Sequence, residues 1–159
     1  MSDQLRVPVD ANELTAVVRS AFGVEGEWHF GITRESGWAD MDLYGHVNHL
    51  AYLHWCQECR NRYFRMALGE WPSIEEIGPV IRSVEFTYDR ALGIGDRVLV
   101  TARIEKLGHT SCVQRYAVWH DGLVGSGNAL CVFISLRTGE KVPIPENFRA
   151  SVTALERLG

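Results

Sequence analysis

The hydrophobic residues between positions 47 and 68 recur at the spacing of an α-helix. No proline or glycine interrupts this stretch. Its apolar stripe consists of Tyr52, Cys56, Cys59, Tyr63 and Met66, which a helix brings to one face. Leu50, Leu53 and Trp55 widen the stripe until the first half is apolar almost all round. We therefore predict a helix over 47–68 that is ended by Gly69 and Pro72 and enclosed by protein along its first half.

Beyond Pro79 the period of the pattern changes to two, which is typical of half-buried strands. Alternating apolar and polar residues predict strands over 84–88, 98–104 and 110–119. The dipeptide Asp121-Gly122 is typical of a hairpin turn. The run that follows it, 129–134, is apolar on both faces, so we expect that strand to lie centrally in a sheet.

The two ends of the chain add shorter elements. Residues 1–25 have the pattern of an N-terminal extension, with a short helix that begins near Asp10 and ends at Gly23. A first strand is predicted over 27–33, a loop over 37–46 and a C-terminal helix from Glu146. One sheet with one apolar face, together with one long helix, indicates an α+β fold in a single domain over 26–159.

Composition narrows the classes of protein that this chain can belong to. A hydrophobic content of 46% with 23% charged residues is that of an ordinary globular protein. The net charge of -4, without any basic run, argues against a nucleic-acid partner. The first residues lack the pattern of a signal peptide, and no apolar stretch approaches the roughly 20 residues of a membrane span. We therefore expect a cytoplasmic protein with no membrane partner, whose 4 cysteines are reduced and buried.

One segment resembles a known family signature. The run Asp40-Met-Asp-Leu-Tyr-Gly-His-Val-Asn-His-Leu-Ala-Tyr is similar to the sequence Asp-x-Asp-x-x-Gly-His-Val-Asn-x-x-x-Tyr. That signature belongs to the 4-hydroxybenzoyl-CoA thioesterase and acyl-ACP thioesterase group of hotdog proteins. Residues 85–96, 107–111 and 142–145 also resemble the family, so the resemblance extends over about residues 28–146.

The resemblance implies an architecture and an activity. The architecture is the hotdog fold, in which a long central helix is wrapped by a curved antiparallel sheet. The family pattern also implies a homodimer or homotetramer whose sheets join edge to edge and whose active sites lie between subunits. The implied substrate is an acyl thioester carried on a pantetheine arm, either acyl-CoA or acyl-ACP, and no cofactor is expected.

The same resemblance assigns roles to residues around the start of the helix. Asp42 matches the position of the family's catalytic acid, as general base or nucleophile, and His46 matches a histidine of the acyl-ACP branch. That branch has an asparagine where this chain has Tyr44, which favours a CoA ester here. Asn48 is expected to fix the loop, and Asp40 to be a structural hydrogen-bonding partner.

Elementary chemistry is consistent with these roles. A carboxylate beside a helix N-terminus stays ionised because the helix dipole favours negative charge there. Amides of the first helical turn lack intrahelical acceptors and can hold an oxyanion, and Gly45 allows close approach of a ligand. The predicted substrate contacts are therefore the segment that contains Gly45, Val47, Asn48 and His49.

Other interpretations of these residues remain open from the sequence. Asp42 could instead cap the helix, and the protein could bind acyl thioesters or take part in an assembly without turnover. An enoyl-thioester hydratase fits less well, because its aspartate and histidine lie five apart with Asn-Pro between them, whereas Asp42 and His46 are four apart.

Two further patterns suggest sites that we consider weak. His46, His49 and His54 have no carboxylate to complete a metal site, so no metal is predicted. Cys56 and Cys59 have the spacing of a redox pair but belong to the apolar stripe, which favours core packing.

Overall fold

The long apolar run and the alternating runs fold into helices and strands close to those predicted. The computed structural model describes residues 14–69 and 76–158. Its helices are α1 (Ala16–Phe22), α2 (His49–Leu68) and α3 (Glu146–Glu156), and a single 3-10 turn spans Trp38–Asp40. Its strands are β1 (Gly31–Glu35), β2 (Ile77–Tyr88), β3 (Arg97–Leu107), β4 (Ser111–Trp119) and β5 (Leu123–Ser135).

The strands form one antiparallel sheet in the order β1-β3-β4-β5-β2. Helix α2 lies on one face of this sheet, against β1 and β3, and α3 packs beside it. This arrangement confirms the predicted α+β hotdog architecture. Strand β5 is an interior strand, as expected, although the middle position belongs to β4.

The core lies between α2 and the concave face of the sheet. Tyr63 of the predicted stripe is fully buried, and its ring meets Phe30 edge to face at 5.3 Å. Phe64 stacks on Phe148 of α3 with ring centroids 5.0 Å apart. All four cysteines are free and buried, which confirms that they are core residues and not a disulfide framework.

The start of α2 differs from the prediction in two respects. The helix begins at His49 and not at Val47, because Asn48 has an extended backbone with a ψ of 142° and is the N-cap. The first half is also not enclosed within the chain: Leu50 is 60% exposed, and His54 is exposed as well. The apolar surface of this half therefore faces both the core and the outside of the subunit.

Two strands are longer than their patterns indicate. Strand β2 extends back through Pro79, which is possible because β2 is an edge strand and that proline needs no second ladder partner. Strand β5 begins at Leu123 and includes Gly125 and Gly127. Both glycines face the ring of Phe86 so closely that a Cβ at either position would overlap it.

The outer face of the sheet is partly covered by α1. Val18 and Phe22 pack there with Leu99 and with Trp28, whose ring meets Trp119 at 6.2 Å. Strand β1 begins at Gly31 and not at residue 27 as predicted, and Trp28 precedes it as part of this cluster. Helix α1 is capped by the Thr15 hydroxyl and so begins later than predicted, while Asp10 lies outside the described residues. Among the described helices, none is both long enough and apolar enough to cross a membrane.

Candidate active site at the start of α2

The segment between β1 and α2 folds into a closed loop with Asp42 at its tip. Asp42 donates its amide to the His46 carbonyl at 2.9 Å, and Met41 and Val47 form an isolated antiparallel bridge below it. Gly45 completes the turn with a φ of +77°, a conformation that favours glycine. The loop is therefore a tight hairpin that presents the carboxylate of Asp42 at the start of the helix.

Asp40 holds the base of the same loop. Its carboxylate oxygen Oδ2 accepts a hydrogen bond from the Gly37 amide at 2.8 Å, and its carbonyl accepts one from the Asn48 amide at 2.6 Å. The prediction that Asp40 is a structural partner is thereby confirmed.

The Asp42 carboxylate has one engaged and one available oxygen. Oδ1 accepts hydrogen bonds from the amides of Tyr44 at 2.8 Å and His46 at 3.2 Å. Oδ2 has no hydrogen-bond donor in the described part of the chain. One oxygen therefore orients the group while the other can accept a proton from water or contact a substrate.

Asn48, and not Asp42, is the cap of α2. Its side-chain oxygen accepts a hydrogen bond from the Leu50 amide at 2.9 Å, as the preference of asparagine for this position would suggest. The expectation that Asn48 fixes the loop is confirmed. The capping interpretation of Asp42 is wrong, because its carboxylate bonds to the loop and not to the first turn of the helix.

The predicted row of oxyanion donors is shorter than expected. The amides of His46, Val47 and Asn48 donate to Asp42, Leu92 and Asp40 respectively. The amide of His49 has no hydrogen-bond acceptor within residues 14–69 and 76–158. Of the four predicted donors, His49 alone is therefore available to a substrate oxygen without a change in the loop.

A cavity of about 310 Å³ adjoins this loop. Its walls are Asp42, His46, Val47, His49, Tyr52, Tyr88, Asp89, Arg90 and Ala91. The structure thus brings four predicted site residues to one cavity and leaves Gly45 and Asn48 out of its walls. His46 and His49 line this cavity but His54 does not, and no group of three metal-ligating side chains occurs among the described residues.

The far wall of the cavity comes from residues that the sequence did not single out as a site. Tyr88 donates its hydroxyl to the His49 carbonyl at 3.2 Å, and its ring lies 5.2 Å from that of Tyr52. Burial raises the pKa of Tyr52, with a smaller contribution from Tyr88, and burial also raises the pKa of Tyr88, so both phenols are neutral near pH 7.

Arg90 donates to the carbonyls of His120 and Leu123 and thus fixes the cavity wall to the β4–β5 turn. Periodicity had placed Tyr52 on the buried stripe, and only packing against β2 brings it to the cavity.

The family follows from comparison with known proteins. The model of the thioesterase-like superfamily matches residues 36–152. The chain belongs to that superfamily. No curated protein matches it in sequence.

Solved structures agree with this assignment. A thioesterase-superfamily protein from Jannaschia sp. CCS1 is 27% identical, with a TM-score of 0.83 over 95% of this chain and 98% of that one. A thioesterase from Thermus thermophilus, solved with coenzyme A and Zn, is also 27% identical, with a TM-score of 0.72 over 81% of this chain and 95% of that one. A 1,4-dihydroxy-2-naphthoyl-CoA thioesterase from Synechocystis shares the fold, at 18% identity and a TM-score of 0.68 over 80% of this chain and 97% of that one.

Proposed function

We propose that this chain hydrolyses acyl-CoA thioesters, with Asp42 as the general base or nucleophile. The main support for this proposal is the hydrogen bonding of the Asp42 carboxylate. One oxygen is fixed by two backbone amides and the other is available at the wall of a cavity. A similar thioesterase from Thermus thermophilus was solved with coenzyme A, which supports CoA as the carrier.

In the general-base form, Asp42 takes a proton from water as the water oxygen attacks the thioester carbonyl. The amide of His49 stabilises the negative charge on the carbonyl oxygen. The carbon–sulfur bond then breaks, the sulfur takes up the proton, and the free acid and thiol leave. In the nucleophilic form, Asp42 attacks the carbonyl, the carbon–sulfur bond breaks and the thiolate leaves. Water then hydrolyses the resulting anhydride to the free acid and the Asp42 carboxylate, and its proton is taken up by the thiolate. His46 lines the same cavity, which supports a catalytic role for it beside Asp42.

We also propose that the active unit is a homodimer formed through the free edge of β2. Among the described strands, β2 pairs on one side only, with β5. Four apolar side chains along it are at least 37% exposed: Val80, Ile81, Val84 and Tyr88. An apolar edge strand of this length favours pairing with another strand. Sedimentation velocity should give the mass of a dimer or tetramer, and a monomer at assay concentrations would argue against this interface.

The test of hydrolysis is release of free thiol from aromatic and short to long aliphatic acyl-CoAs. Asp42→Asn keeps an oxygen that can accept the amides of Tyr44 and His46 but removes the base. We expect kcat/KM to fall by roughly 10²–10⁴-fold, the usual contribution of a general base. The matched control is Asp40→Asn, the same change two residues earlier in the same loop but outside the cavity, which should retain activity.

Two results would contradict the proposal. If no acyl-CoA is cleaved but the esters bind, the chain is a binding protein. If Asp42→Asn is as active as the wild type, the hydrolysis uses another group.

A further inference from the structure

A second cavity lies beyond the first along the same two elements. It has a volume of about 280 Å³ and lies between α2 and β2. On α2, His49 in the first cavity is followed at helical spacing by Leu53 and Gln57 in the second. On β2, Tyr88 in the first cavity is followed by Phe86 and Val84 in the second, which alternation places on the same face. The two cavities therefore lie one after the other along α2 and β2, with Tyr88, whose hydroxyl donates to the His49 carbonyl at 3.2 Å, between them.

The second cavity is apolar except near its end. Leu53, Ile81, Val84 and Phe86 form its sides. Arg60 lies about 16 Å beyond His49 along the helix axis, at 1.5 Å per residue. An acyl chain that passes over Tyr88 from a thioester at Asp42 would therefore reach a half-buried guanidinium group.

Arg60 lacks an anionic partner within the described chain. Its Nη1 donates to the Tyr116 hydroxyl at 3.3 Å, whereas a guanidinium group has five N–H donors. No carboxylate of the described residues lies within 4 Å of it, and Glu85, which lines the same cavity, forms no ion pair with it. Burial raises the pKa of the neighbouring Cys56 to about 12, so that thiol is neutral and does not balance the charge.

The polar contacts behind Arg60 are also incomplete. The Tyr116 hydroxyl donates to Gln114 Oε1 at 2.8 Å. Gln114 is fully buried, and its Nε2 has no hydrogen-bond partner among the described residues. A cation in an apolar groove is stabilised most by an anion that it can bind in a bidentate manner.

We propose that Arg60 binds a carboxylate at the far end of the acyl group, an inference that rests on the proposed hydrolysis. The preferred substrates are then CoA thioesters of dicarboxylic acids. The apolar sides of the second cavity contact the methylene chain, and the Arg60 guanidinium pairs with the terminal carboxylate. Arg60 is then a specificity residue and takes no part in breaking the thioester bond.

The experiment compares matched pairs of substrates. Succinyl-, adipoyl-, suberoyl- and sebacoyl-CoA are each compared with the monocarboxylic acyl-CoA of the same length, using the wild type, Arg60→Gln and Arg62→Gln. The wild type should prefer a dicarboxylic ester of suitable length, and Arg60→Gln should reduce that preference by about ten- to a hundredfold, the effect of one charge-assisted hydrogen bond. Arg62→Gln removes the same charge from the same helix outside the second cavity and should leave the preference unchanged.

A binding measurement separates this inference from the proposed hydrolysis. Calorimetry with the non-hydrolysable thioether analogues of suberoyl-CoA and octanoyl-CoA needs no turnover. Tighter binding of the dicarboxylic analogue, lost in Arg60→Gln, would support the inference even if no ester were cleaved. Cleavage with equal rates for both members of each pair, or equal binding of the two analogues to the wild type, would overturn it and leave the hydrolysis proposal standing.

Discussion

The hydrogen bond from Tyr116 to Gln114 allows a prediction of stability that does not depend on the substrate. Tyr116→Phe removes the hydroxyl that donates to Gln114 Oε1 at 2.8 Å. Gln114 is 0% exposed, and its Nε2 already lacks a partner in the described chain. In the variant, both ends of a buried amide are left without hydrogen bonds, and water has no access to replace them.

The magnitude follows from the cost of leaving a buried polar group unsatisfied, about 1–3 kcal/mol. Arg60 also loses a partner, but it is half-buried and reaches solvent, so it adds little. For a chain of this size, 1 kcal/mol shifts Tm by roughly 2–4 °C. We therefore expect Tyr116→Phe to lower the free energy of unfolding by about 1–3 kcal/mol and Tm by roughly 2–12 °C.

Gln114→Leu provides the matched background for this test. Leucine fills similar space without an amide, and Gln114→Leu together with Tyr116→Phe replaces both hydrogen-bonding partners by apolar groups, which can be nearly neutral. Gln114→Leu alone leaves the buried Tyr116 hydroxyl without its acceptor. In that background, Tyr116→Phe should cost less than about 0.5 kcal/mol, because no buried amide remains to lose its partner. The double-mutant cycle should then show a coupling of about 1–2 kcal/mol.

Urea unfolding at one fixed protein concentration, followed by circular dichroism and tryptophan fluorescence, measures these values if the m-values agree. An equal cost of Tyr116→Phe in both backgrounds would refute the reasoning. It would mean that the hydroxyl stabilises the protein through Arg60 or through packing, and not by satisfying Gln114.

Three further predictions concern other parts of the chain. Asn48→Ala removes the cap on the Leu50 amide and should lower the free energy of unfolding in urea titrations by about 1 kcal/mol, whereas Asn48→Asp should retain the cap. Equal unfolding midpoints for the two variants would show that the cap adds no stability. Burial raises the pKa of Glu156 above its ordinary value of 4.5, so the protein should lose stability as pH rises from that value through the raised pKa. Glu156→Gln, which still accepts from the Tyr63 hydroxyl, should abolish this loss, and an unchanged pH profile of Tm would contradict it. All 4 cysteines are buried, and burial raises the pKa of Cys56 to about 12. Ellman's reagent at pH 8 should therefore react with the cysteines in denaturant but not in the native protein, and rapid reaction of the native protein would contradict a closed core.

Local rules were sufficient where one short segment decides its own conformation. Helix α2 runs to Leu68 and ends at Gly69 in a left-handed conformation, as its period and its glycine predict. Helix α3 begins at Glu146, as predicted. The turn at Asp121-Gly122 has positive φ at both residues, which is the geometry that this dipeptide favours in a hairpin.

Local sequence rules failed where the position of a strand in the sheet changes which residues it can contain. Strand β2 includes Pro79 because its position at the sheet edge leaves one side of the backbone without a partner. Strand β5 has glycine at 125 and 127 because the Phe86 ring and the backbone of β2 occupy the space that a Cβ would need there. Neither position in the sheet can be read from the residues of the strand itself.

For the candidate site, the sequence by itself determined the fold class, the position of Asp42 before the helix, and the resemblance that the family match later supported. Only the tertiary structure decided that His49 keeps an available amide and that Tyr88 lines the cavity. The reason is that hydrogen-bond partners such as Leu92 and cavity walls such as β2 come from segments about 40 residues away in the chain. Short-range periodicity reports which face of an element is apolar, but which groups meet across two elements depends on how the whole sheet wraps around α2.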